Sequence, residues 1–86
     1  MNEPLRRIGD LAPGVRYRIR ETFADFDGDE LLAGTVLTFV ESSYFPYDGG
    51  HTLTFAERVV RLAEIDPNSS RVLDDPGRWI ERIVGS

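Results

Sequence analysis

Apolar and charged positions alternate most clearly from Gly14 to Phe23, where Val15, Tyr17, Ile19 and Phe23 interleave with Arg16, Arg18, Arg20 and Thr22. A period of two describes a strand with one apolar and one basic face, and Pro13-Gly14 punctuates its start. The acidic residues 25–30 interrupt the pattern. Within them Asp27-Gly28 is a turn signal, because glycine tolerates positive φ, and a hairpin is predicted. The next run, GTVLTFVES (34–42), is apolar on both faces at Val36, Leu37, Phe39 and Val40, which predicts a central strand covered on both sides. YFPYDGG (44–50) reads as a loop, since Pro46 cannot donate to a ladder and Asp48-Gly49-Gly50 is a second turn signal. HTLTF (51–55) then alternates, with Leu53 and Phe55 inward. ERVVRLAEI (57–65) reads as a strand on Val60 and Leu62, with a helical turn as the alternative.

Residues 66–70, DPNSS, read as a break. The tail DDPGRWIERIVGS (74–86) predicts a short C-terminal helix with Asp75 as N-cap, Pro76 at the first helical position, and Trp79, Ile80 and Ile83 on one side. Four short strands and one helix give a mainly β fold with a C-terminal helix, a small SH3-like, partly open barrel. The alternative is a four-stranded antiparallel sheet with one helix packed across it.

Length and composition narrow this further. Eighty-six residues, 41% of them hydrophobic, make one domain with one core. Absence of cysteine removes disulfides, thiolate metal sites and cysteine nucleophiles, and favours the cytoplasm. Residues 1–14 lack the apolar stretch of a secretory signal, and no segment is long enough to span a membrane. Net charge −5 repels a phosphate backbone, which sets nucleic acid aside. Every basic residue is arginine, a bias that fits codon usage in a GC-rich genome better than it fits a binding surface.

Gly14-x-x-Tyr17, the Phe-x-Asp-x-Asp-Gly turn at residues 23–28 and FPYDGG at residues 45–50 together resemble a family of small bacterial proteins characterised only as a domain of unknown function. The resemblance covers roughly residues 11–84. It implies no activity, cofactor or catalytic residue.

Four features carry candidate chemistry. Asp25, Asp27 and Asp29 have the spacing of the first calcium ligands of an EF-hand, but that loop needs glycine at its sixth position and glutamate at its twelfth, where Glu30 and Val36 stand. A solvated turn pairing with arginines is the plainer reading, and no metal or cofactor is predicted. Ser42, Ser43, Asp48 and the only histidine, His51, are close enough in sequence to suggest a hydrolytic triad, but a chain this small leaves little room for the cleft and oxyanion hole a triad needs. The ladder Arg16, Arg18 and Arg20 is expected to be neutralised by the acidic turn and Glu41. Tyr44, Phe45 and Tyr47 put three rings in a loop, where they either fold back to plug a barrel end or form an exposed ledge for an extended peptide. These features predict a non-catalytic module that binds a protein partner through Tyr44, Phe45, Tyr47, Asp25, Asp27, Asp29 and Glu30, in the manner of an inhibitor or immunity protein. Weak calcium binding or hydrolysis is the alternative.

Overall fold

A computed structural model describes residues 2–47 and 49–84. Along the chain these form β1 (Glu3–Pro4), a 3-10 turn (Ile8–Asp10), β2 (Arg16–Ile19), β3 (Phe23–Ala24), β4 (Glu30–Leu31), β5 (Val36–Phe45), β6 (Gly50–Phe55) and β7 (Val59–Ala63). Helices α1 (Pro67–Asp74) and α2 (Pro76–Trp79) follow, and β8 (Ile80–Arg82) ends the fold. The protein is mainly β with short helices. Six strands form one antiparallel sheet in the order β1-β8-β2-β5-β6-β7, while β3 and β4 pair separately. The sheet ends at β1 and β7 and does not close into a barrel.

The alternation in the sequence sets the core. Tyr17, Ile19, Leu37, Phe39, Leu53, Phe55, Val60 and Leu62 share one buried cluster with Val72 of α1 and with Leu5, Ile8 and Leu11 of the N-terminal segment. Each fully buried aliphatic side chain contributes about 1.5–3 kcal/mol. Tyr17 keeps its hydroxyl satisfied by accepting the Ala12 N–H at 2.9 Å, and its ring meets Phe39 edge-on, as Phe39 meets Phe55.

The structure corrects several sequence expectations. The strand read over residues 14–23 stops at Ile19, and the acidic turn caps its own ribbon of β3 and β4. Its tip follows the predicted chemistry: Gly28, at φ 84°, donates its N–H to the Asp25 carbonyl. β5 runs on through Tyr44 and Phe45, so among the described residues of the predicted aromatic loop the turn is made by Pro46, Tyr47 and Gly49. Val36 and Val40 are exposed, so β5 is covered on one face and not on both.

Residues 66–70 are not a break but the start of α1. Asp66 caps this helix by accepting the Ser69 N–H, and Pro67 fills its first turn. At the predicted C-terminal helix, Asp75 makes no side-chain cap bond and α2 ends at Trp79. Ile80 and its neighbours leave the helix because the outer edge of β2 offers them a ladder. Tyr17 pairs with Arg82, Arg18 with Glu81 and Ile19 with Ile80. No helix among the described residues is long and apolar enough to cross a membrane.

Candidate functional site

The four acids of the turn occupy different environments. Asp25 is 3% exposed. Its Oδ1 accepts the backbone N–H of Asp27 and of Asp29, both at 3.0 Å, and its Oδ2 accepts the Arg61 N–H at 3.3 Å. A buried carboxylate with three backbone donors is a structural staple, so Asp25 has no free face to offer a partner. Asp27 turns outward to the Arg61 guanidinium at 3.0 Å. Asp29 and Glu30 are exposed.

This staple also ties the ribbon to the sheet. Phe26 donates its N–H to the Arg61 carbonyl at 2.7 Å, so both main-chain groups of Arg61 on the outer edge of β7 are taken by the acidic turn. The Arg61 guanidinium lies 5.7 Å from the centre of the Phe26 ring. Phe26 thereby shares a shallow pocket with Phe45, His51, Thr52 and Arg61. The hairpin tip and the end of β5, some twenty residues apart in sequence, meet on one surface.

The aromatic segment does not plug the sheet. Tyr44 is 53% and Phe45 57% exposed, and Tyr47 is fully exposed. Tyr44 sits opposite His51 in the β5–β6 ladder, with ring centres 4.8 Å apart. The other residues proposed for hydrolysis are dispersed. Ser42 faces Leu53 and Ser43 faces Thr52 across the same ladder, no hydrogen bond joins either serine to His51 among the described residues, and Asp48 lies outside them. Among the described residues no three histidine, aspartate or glutamate side chains are grouped to hold a metal ion.

The arginine ladder has a different partner from the one expected. Arg18 lies 3.0 Å and Arg20 3.7 Å from Glu81 of β8, and Arg20 also donates to the Gly77 carbonyl. Glu81 in turn accepts the Asn2 amide at 2.8 Å. That amide first, then the Arg18 guanidinium, hold the Glu81 carboxyl below its ordinary value of 4.5 against the opposing effect of burial. Sequence reasoning missed Phe26 and Arg61, whose only signals were an apolar residue inside a polar turn and an arginine on the charged face of a strand.

A second, larger cleft of about 600 Å³ opens between the N-terminal segment and α1, lined by Arg6, Arg7, His51, Glu64, Ser70 and Asp74. Its charges are mixed in sign.

No protein-family model and no curated protein matches the chain. Among solved structures, an integron cassette protein from the mobile metagenome of Vibrio cholerae is similar over 94% of this chain and 95% of its own, with a TM-score of 0.80 at 20% identity. The similarity is one of fold alone.

Proposed function

We propose that the chain is a non-catalytic protein-binding module of the cytoplasm, whose contact surface is Tyr44, Phe45 and Tyr47 with the exposed acids Asp27, Asp29 and Glu30. The observation that carries this reading is the exposure of Tyr44, Phe45 and Tyr47, with Phe45 sharing one pocket with Phe26 of the acidic tip. Large rings held in water beside a pocket suit a partner that covers them, and carboxylates next to them favour a basic partner over an acidic one. Inhibition of a basic protein follows the same logic.

We read the sheet as a partly open barrel of the SH3-like kind. Two features support this: the run β8-β2-β5-β6-β7, and the register shift between Phe39 and Glu41 that lets β5 serve β2 with its first half and β6 with its second. Modules of that architecture present aromatic ledges to extended peptides.

Fluorescence anisotropy with labelled extended peptides that are arginine-rich, neutral or glutamate-rich tests the reading. The arginine-rich peptide should bind best, and Phe45→Ala and Tyr47→Ala should each weaken it about tenfold, or ~1.4 kcal/mol, without lowering the melting temperature. Equal binding of all three peptides, or unchanged binding in both variants, would overturn it. So would turnover of a generic ester that disappears in His51→Ala.

A further inference from the structure

The two long free edges of the sheet are treated differently. On β7, the Arg61 N–H and carbonyl are covered by Asp25 and Phe26. On β5, the edge facing away from β6 is covered by β2 only as far as Phe39, which bonds Gly14 and Val15. The strand then continues to Phe45 with β6 on one side alone. Ten residues of strand span about 33 Å, in a molecule 38 Å long and 22 Å across.

The alternation of hydrogen bonds identifies which groups face outward. Because Arg61 bonds away from β6, its neighbour Thr52 bonds toward β5, where it meets Ser43. Ser43 therefore points to β6, and the N–H and carbonyl of Ser42 and Tyr44 point to open solvent. Over this stretch the edge carries one charge, Glu41, and otherwise lacks the usual protections: it has no lysine, no proline before Pro46, and its register shift lies upstream of Glu41.

We propose that two copies of this chain pair antiparallel through this edge, about a twofold axis at Ser43, making one continuous sheet. A twofold contact must be self-complementary, and this edge is. In the register centred on Ser43, Ser42 of each copy lies opposite Tyr44 of the other, so all four outward N–H groups and all four carbonyls find partners. Each Glu41, the charged residue of the edge, lies across from a Phe45 ring and not from the other carboxylate. Pro46, with no N–H, ends the ladder. The pairing is made by main-chain groups of Ser42 and Tyr44 and not by the rings, so variants at Ser42 and Ser43 test it separately from the peptide-binding reading.

Sedimentation velocity of the full chain over about 1 μM to 1 mM, the span of weak specific association, gives the test. The mass should rise reversibly from one chain to two. Added salt should strengthen the dimer, because two molecules of charge −5 repel at long range and that repulsion is screened beyond about 10 Å at 0.1 M salt. Ser42→Pro removes an N–H that faces away from β6 in the monomer and should weaken the dimer at least tenfold. Ser43→Lys puts two like charges face to face and should abolish it, while mixing Ser43→Lys with Ser43→Glu chains should restore a one-to-one pair. A wild-type mass of one chain throughout the range would overturn the proposal. So would a dimer indifferent to Ser43→Lys, or an edge that pairs only with an unrelated extended chain.

Discussion

Asp25 shows why a count of acids misleads. Asp25, Asp27, Asp29 and Glu30 look alike in a six-residue acidic run, yet one of them is buried and accepts three backbone N–H groups. Removing the buried carboxylate leaves three part-buried backbone donors without their acceptor, so Asp25→Ala should destabilise the fold by about 2–4 kcal/mol, while Asp29→Ala should stay within about 0.5 kcal/mol. Urea unfolding of the two variants would show whether the staple is real; equal effects would mean it is not. Glu81 extends the same reasoning to pH. Its folded-state pKa is lowered below 4.5 by Asn2 and Arg18, so its contribution to stability is complete above the unfolded value and is lost as pH falls through the folded one. Wild type should therefore lose stability below about pH 4.5 more steeply than Glu81→Gln, a difference visible in melting temperatures taken between pH 6 and pH 3.

At the scale of elements, the strands β2, β6 and β7 and the inward residues Leu53, Phe55, Val60 and Leu62 were legible because a period of two reports a half-buried strand directly. The start of α2 at Pro76 was legible too, but α1 was not. The chain has two Asp-Pro signals, Asp66-Pro67 and Asp75-Pro76, and the longer helix follows the first. Local chemistry at both is similar; what separates them is that the segment after Trp79 can complete β2's ladder, a contact more than sixty residues distant. Asp66→Ala should cost about 1 kcal/mol through loss of the Ser69 cap, and Asp75→Ala should cost less, as it caps nothing. Comparable losses from both would show that the two positions act alike. The candidate surface was legible in its rings and acids and illegible in Phe26 and Arg61, because their meeting depends on where the turn docks on β7.

Over the whole molecule, the first and last strands are joined. β1 pairs with β8, the Leu5 N–H donates to the Ile80 carbonyl at 3.0 Å, and Leu5 enters the same buried cluster as Val72 of α1 and Phe55 of β6. A core assembled from both termini and every layer cannot release one part and keep the rest, because each element buries its apolar face only against the others. Leu5 and Val72 are therefore predicted to report on one transition. Leu5→Ala, which leaves a cavity under β8, should lower stability by about 2–4 kcal/mol, and Val72→Ala should shift the same transition by a smaller amount in proportion to its smaller side chain. Trp79, half-buried against Phe23 with ring centres 5.9 Å apart, supplies a fluorescence probe on the C-terminal side, while far-ultraviolet circular dichroism follows the sheet. In wild type and both variants the two signals should move together at one midpoint. If Leu5→Ala separated them, with the tryptophan released before the sheet, the N-terminal segment and β8 would form an independently melting unit and the single-core account would be wrong.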